Sequence, residues 1–194
     1  MLGKVKPFPV ILVAPSGAGK TPICRYVMDK LSNIRYSISA TTRKPRNGEI
    51  EGKDYYFLSP TTFQEWIQED KFCEWAKVYD ELYGTPKEPF TRYLGEGYNI
   101  LLAIDIQGAR KIKLLYPEAI SIFILPPSMA ELENRLVKRD KDATGEIDKR
   151  LGLVNLETQH LDEFDYVVVN DELITASKKV IAIITAEECK VSRL

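Results

Sequence analysis

The sequence has one histidine, three cysteines and almost no net charge, 27 Lys and Arg against 28 Asp and Glu giving a formal −1 over 194 residues. A balance this even makes no global field that would draw the chain onto nucleic acid or an anionic membrane, so an anion site must come from local clusters. Cys24, Cys73 and Cys189 are odd in number and far apart. They match no metal-ligand spacing and no disulfide framework, which points to a reducing compartment, the cytoplasm. His160 has no carboxylate or cysteine pattern around it and is assigned a structural role. The apolar runs are strand-sized, broken by Asp105 or by Pro126-Pro127, too short to span a bilayer. Residues 1–7 hold no apolar leader, and no repeat or low-complexity segment is found. Hydrophobic and charged fractions of 44% and 28% are those of one soluble globular domain with a good core.

What the sequence does have is Ala14-Pro15-Ser16-Gly17-Ala18-Gly19-Lys20-Thr21, placed between the apolar run Val10–Val13 and a segment of helical period. Strand, glycine-rich turn and helix start are the context of a phosphate-binding loop. The glycines let the backbone wrap an anion, successive N–H groups point inward, and the helix N-terminus adds its dipole. Lys20 supplies a mobile charge for the outer phosphates and Thr21 a hydroxyl for Mg²⁺. Two residues depart from G-x-x-x-x-G-K-[ST]. Ala14 replaces the first Gly at a strand end, where an L-residue is tolerated. Pro22 removes an N–H that faces the nucleotide in such loops. It suits a first helical turn, but a lost bond to a charged acceptor is worth about 1.5–3 kcal/mol.

Ile23, Val27 and Leu31 predict a helix ending at Ser32-Asn33, with Cys24 and Met28 as core. Residues 36–57 alternate like a strand and turn at Pro45 and at Asn47-Gly48. Arg43 and Arg46, three apart around the proline, either grip one phosphate with their planar forks or form a solvated basic loop. Ser59-Pro60 opens a short helix, followed by strands around Phe72–Tyr79 and Glu81–Thr85 and a helix from about Glu88 to Gly95. Glu74, between Phe72 and Trp75, is either a surface acid or a carboxylate that needs a ligand. Ile100–Ile104 and Ile120–Leu125 read as strands buried on both faces. Asp105 ends the first of them, where a carboxylate organises Mg²⁺ or reads a substrate. A helix follows from Gln107 to Leu115. Ser128–Glu131 forms a capping box for a helix carrying Arg135 and Arg139. Asp140–Gly145 reads as a mobile segment, and Ile147, Leu151 and Val154 resume a helix carrying Arg150. Tyr166–Val169 is the last strand, Asn170-Asp171 a helix cap, and Leu173, Val180 and Ile184 the stripe of the last helix. Strand and helix alternate around a β-rich insert: a doubly wound α/β core.

At this point the chain resembles the guanylate kinase family over nearly its whole length. The family's GMP-binding stretch, S-x-S-x-T-T-R-x-P-R-x-G-E-x-x-G-x-D-Y-x-F, matches Ser37 to Phe57 without a gap. The resemblance implies a five-stranded parallel core sheet flanked by helices (residues 1–36, 97–134 and 152–194), a GMP-binding subdomain (37–96) and a lid (135–151). It implies Mg²⁺-dependent transfer of the ATP γ-phosphoryl to GMP, by a monomer or homodimer without nucleic-acid or membrane partners. By position, Arg43, Arg46, Tyr55 and Tyr83 would hold the GMP phosphate, and Ser39, Glu74, Thr85 and Asp105 would read guanine. Residues 14–21 would hold ATP, Asn170 would lie near adenine, and Arg135, Arg139 and Arg150 would close on ATP phosphates. Lys20 and Arg43 join those three as the catalytic set. Ala103 stands where many members have Asp, and Asp140 replaces a common lid glycine. The alternatives are a guanylate kinase-like domain that binds without catalysis, or a related phosphate-loop kinase for another phosphorylated acceptor.

Overall fold

Alternation along the first strand decides how the core is built. The structure is a computed structural model describing residues 5–78, 80–139 and 158–193, with the backbone alone for Leu136, Lys138 and Arg139. Strand β1 (Pro9–Val13) lies at the centre of a five-stranded sheet with β2 (Ile34–Tyr36), β7 (Asn99–Ala103), β8 (Ile120–Leu125) and β9 (Tyr166–Val169). The order is β2-β7-β1-β8-β9, and every neighbouring pair is parallel. Successive side chains of a strand face opposite ways. Val10 and Leu12 therefore join Leu101, Ile122 and Ile124 on one face, beneath α1 (Lys20–Lys30) and α6 (Leu173–Glu188). Ile11 and Val13 join Ile100, Leu102 and Phe123 on the other, against α3 (Lys87–Gly95) and α4 (Ile106–Leu115). Covering both faces is what made these strands read as continuous apolar runs. Emptying a fully buried position such as Leu101 would cost about 2–5 kcal/mol.

The insert makes a second sheet, β4-β3-β6-β5, from β3 (Ala40–Thr41), β4 (Tyr56–Phe57), β5 (Phe72–Val78) and β6 (Glu81–Pro86). Helix α2 (Pro60–Gln68), capped by Ser59 through Thr62 N–H, closes it. Its core is small: Phe63 stacks on Phe72 at 4.6 Å, with Ala40 buried beside them and Trp66 packed alongside. The remaining helix, α5 (Met129–Arg139), starts where Ser128 Oγ accepts from Glu131 N–H at 3.1 Å.

Several boundaries differ from the sequence reading. Helix α1 stops at Lys30 rather than at Ser32-Asn33. Helix α6 is capped by Glu172, whose carboxylate accepts from Thr175 N–H, not by Asn170-Asp171, because Asn170 is drawn into the interior. Leu173 is correspondingly exposed, and Ala176, Val180 and Ile184 form the buried face. The segment 140–145 and the helix expected through Arg150 lie outside the described residues. Among the described residues no helix is long and apolar enough to cross a membrane.

Candidate active site

The carboxyl ends of β1, β7, β8 and β9 face one crevice edge, where ligands bind in open parallel sheets. The loop after β1 turns through Gly17 (φ 86°) and Gly19 (φ 95°), left-handed positions that favour glycine. Ala18 N–H closes on the Pro15 carbonyl at 3.1 Å. Ala14 is half-buried against the core, and among the described residues Asp70 alone of the non-glycines has positive φ, so Ala14 asks for no glycine. Lys20 opens α1 and its Nζ donates to the Ile104 carbonyl at 3.0 Å, which brings the loop beside the end of β7. Thr21 and Pro22 are exposed in the first turn of α1. The first-turn N–H groups of a helix have no partner within it, so Pro22 costs the helix no bond.

Across the crevice, the insert brings Arg43, Tyr55 and Tyr83 together. Arg43 Nε donates to Tyr83 Oη at 3.2 Å, and the guanidinium carbon sits 5.4 Å from the Tyr55 ring centre. Tyr55 meets Tyr83 edge-on at 6.1 Å. Arg43 Nη2 donates to both carboxylate oxygens of Glu49 at 2.9 Å, and Arg46 N–H donates to the same carboxylate at 2.7 Å. Burial disfavours the Arg43 charge, but the bonds to Glu49 and Tyr83 outweigh it and raise its pKa. Burial likewise raises Tyr55. Arg46 is exposed. Sequence reasoning assigned Glu49 no role. Its signal was an acid directly after the Asn47-Gly48 turn, three residues beyond Arg46, close enough to fold back onto both arginines.

Glu74 is 6% exposed and faces inward. A register shift between Phe72 and Glu74 re-aims it, as a β-bulge does, and sets it opposite Thr85. Thr85, fully buried, donates its hydroxyl to Glu74 Oε1 at 2.6 Å. The other oxygen lies against Gly108, where an added Cβ would stand 2.8 Å from Glu74 Oε2 and 3.2 Å from Asp105 Oδ1. Gly108 is thus the residue that lets two carboxylates share the first turn of α4. Asp105 caps that helix, accepting from Gly108 N–H at 2.9 Å and from Gln107 Nε2 at 3.2 Å. Desolvation pushes the Glu74 carboxyl up to about 7; the Thr85 bond opposes this and Asp105 adds to it. Ser39 is buried on the strand edge nearby, its carbonyl accepting from Tyr56 N–H.

On the loop's far side, buried Asn170 donates from Nδ2 to the Ala18 carbonyl at 2.7 Å. Arg135 on α5 donates to the Asn170 carbonyl at 3.2 Å and to Glu131 at 2.8 Å. The Arg139 side chain and all of Arg150 lie outside the described residues. His160 does have a carboxylate beside it, contrary to the sequence reading: Glu163 Oε1 lies 2.9 Å from Nδ1, in a cluster with Arg110. Among the described residues no three His, Cys, Asp or Glu gather as a metal cage. A cavity of about 520 Å³ at the amino ends of β8 and β9 is lined by Lys6, Lys113, Asp165, Glu187 and Arg193; buried Glu187 pairs with Arg193, and half-buried Lys113 donates to Asp165.

The arrangement is a glycine loop at the head of α1, a buried carboxylate set against Gly108 and Asp105, and a guanidinium flanked by two tyrosines. Comparisons with known proteins bear on the family. The guanylate kinase family model matches residues 6–187. A guanylate kinase of Caldanaerobacter subterraneus is 50% identical over 184 residues, covering 95% of this chain and 89% of that one. One of Carboxydothermus hydrogenoformans is 46% identical over 185 residues, covering 95% and 91%. A crystal structure of guanylate kinase from Anaplasma phagocytophilum superposes with a TM-score of 0.84 at 33% identity, covering 99% and 91%. A gluconokinase from Sinorhizobium meliloti, at 14% identity and TM-score 0.50, shares the fold alone. Matched in sequence along nearly its full length and in fold, the chain belongs to the guanylate kinase family.

Proposed function

We propose that this nucleoside-monophosphate kinase transfers the γ-phosphoryl of ATP to GMP, reversibly, giving ADP and GDP. The observation that carries the reading is the buried Glu74 carboxylate, held by Thr85 and set against Gly108 and Asp105. Guanine offers two neighbouring donors, N1–H and the exocyclic amine, to such an acceptor. Adenine offers neither and would leave a buried carboxylate unpaired. Sites built this way discriminate by about 10⁴ or more.

The acceptor is already a phosphate anion, so no general base is needed and catalysis rests on alignment and charge neutralisation. The loop N–H groups and Lys20 hold the donor phosphates; Arg43, with Tyr55, Tyr83 and Arg46, holds the acceptor phosphate. Ser39, Thr85 and Asp105 complete the guanine pocket. Arg135, Arg139 and Arg150 belong to a lid (135–151) that closes over the donor and excludes water. Core (1–36, 97–134, 152–194), GMP subdomain (37–96) and lid are the moving parts of this scheme. The residues present fit Mg²⁺: Thr21 offers one exposed hydroxyl beside the glycine turns, leaving other positions to phosphate oxygens and water, as Mg²⁺ prefers. When bound, the ion neutralises charge on the phosphates. The enzyme works in the cytoplasm, which keeps its three free cysteines reduced.

An ADP-release assay with ATP, Mg²⁺ and GMP, dGMP, AMP, CMP or UMP tests this. GMP should be the strongly preferred ribonucleotide. Equal rates with AMP would overturn the role of Glu74, and no ADP with GMP would overturn the activity.

A further inference from the structure

Asn170 sits 4% exposed at the end of β9, with three elements attached to it. Its main-chain N–H donates to the Leu125 carbonyl at 2.7 Å, and its own carbonyl accepts from Arg135 at 3.2 Å. Its side-chain Nδ2 donates to the Ala18 carbonyl at 2.7 Å. Only the NH₂ end of a carboxamide can face a carbonyl, so chemistry fixes the orientation. The same nitrogen fills the space beside Gly19, where an added Cβ would come within 2.2 Å of it. The second glycine of the loop therefore answers two demands at once, its φ of 95° and the room that Asn170 takes.

The peptide between Ala18 and Gly19 is planar and trans, so its N–H points opposite to its C=O. A carbonyl pinned toward Asn170 turns the N–H of Gly19, the residue that caps α1, away from Asn170. We propose that Asn170 is a positioning residue of the phosphate loop. Its carboxamide aims a phosphate-binding N–H from behind, and its carbonyl holds the lid arginine Arg135 against the same loop. The side-chain donor serves the backbone of the loop instead of reading the adenine ring. This rests on the reading of residues 14–21 as the ATP phosphate cradle.

The test uses inorganic tripolyphosphate, which carries the phosphates without a base. Dissociation constants for tripolyphosphate, ATP and GMP, each with Mg²⁺, are measured by calorimetry on the wild type, Asn170→Ala and Asn170→Asp. Tripolyphosphate and ATP should both weaken, about tenfold in Asn170→Ala as expected for a lost buried bond. Asn170→Asp keeps the volume but sets an acceptor against the Ala18 carbonyl, and should weaken both further. GMP affinity should hold, while the melting temperature falls by a few degrees because the buried Ala18 carbonyl loses its donor. Unchanged tripolyphosphate binding with weakened ATP would overturn the proposal in favour of a base contact. Equal weakening of GMP would overturn it in favour of a general structural role. A wild type that binds GMP but neither ATP nor tripolyphosphate would overturn the cradle itself.

Discussion

Replacing Thr85 by valine keeps the shape and β-branching of a fully buried strand residue and deletes one hydroxyl. That hydroxyl donates to Glu74 Oε1 at 2.6 Å and is the main contact opposing the upward push of burial on the carboxyl. A bond to a charged acceptor is worth about 1.5–3 kcal/mol, and about 1.4 kcal/mol is one pKa unit. The Glu74 pKa, about 7 in the wild type, should therefore rise by about one to two units in the variant. Guanine needs the ionised form. At pH 7 the wild type is half ionised and the variant about 1–10%, so protonation alone should weaken GMP about 5- to 50-fold. Calorimetric titration of GMP from pH 6 to 9, in two buffers of different ionisation enthalpy, reads affinity and proton release together. Wild-type affinity should rise with pH and level off above about 7, with protons released; in Thr85→Val the plateau should move to more alkaline pH. The GMP phosphate titrates near pH 6 in both proteins and cancels in the difference. An unmoved plateau, whatever the loss of affinity, would refute the assignment of Glu74 as the ionised guanine acceptor.

Glu74→Gln should lose GMP binding yet stabilise the empty protein at alkaline pH. The folded pKa of about 7 lies above the usual 4.5. The neutral carboxyl therefore contributes stability that is full below about pH 4.5 and gone once pH passes about 7, on the order of 3 kcal/mol. Thermal melts should show the variant ahead at pH 8 and level at pH 5; no difference between the two pH values would reject this. Pro22→Thr restores an N–H in the first turn of α1 at an exposed site and should lower the ATP KM several-fold with little change in stability; an unchanged KM would show that the missing donor is already compensated. Arg193→Ala removes a guanidinium that binds Glu187 at 2.9 Å and stacks on Phe8 at 3.7 Å, and, since Lys190 and Tyr166 still bond Glu187, should cost about 1.5–3 kcal/mol in urea unfolding at pH 7. Burial works against the Glu187 charge, but bonds from Lys190, Tyr166 and Arg193 hold its carboxyl at about 2. The penalty should then be full above about pH 4.5 and shrink toward pH 2; a cost below about 1 kcal/mol at pH 7 would refute it.

The core was legible because its strands are covered on both faces: Ile100–Ile104 and Ile120–Leu125 carry apolar side chains at positions a half-exposed strand would leave polar. The glycine turn between β1 and α1 was legible because its signal is local, two glycines and Lys-Thr between strand and helix. What stayed hidden depends on residues distant in sequence. Asn170 looked like a helix cap because caps and buried amides use the same residue types, and only the fold shows that Ala18, 152 positions away, claims its side chain. Gly108 on α4 gave no hint that Glu74, on β5 of the second sheet, would need the space of its missing Cβ. The Glu163 carboxylate beside His160 was three residues away, but its approach depends on a 3₁₀ turn, Leu161–Glu163, that the composition does not announce.

Four charged groups of the candidate site, all among the described residues, are each held by a partner inside the protein. Arg43 has Glu49, Glu74 has Thr85, Lys20 has the Ile104 carbonyl, and Arg135 has Glu131 and the Asn170 carbonyl. A buried charge without a partner would cost several kcal/mol, so a folded protein must supply one before any substrate arrives. Nucleotide binding at such a site exchanges partners more than it adds them. Affinity then depends on how much better a phosphate or a guanine edge is than the resident carboxylate, hydroxyl or carbonyl. Neutral residents, such as the Thr85 hydroxyl and the Ile104 carbonyl, yield or share cheaply. The Arg43–Glu49 pair is different, since a dianionic phosphate must approach a guanidinium already neutralised by a carboxylate. The acceptor-phosphate end should therefore be the part of the site whose geometry changes most between empty and filled states.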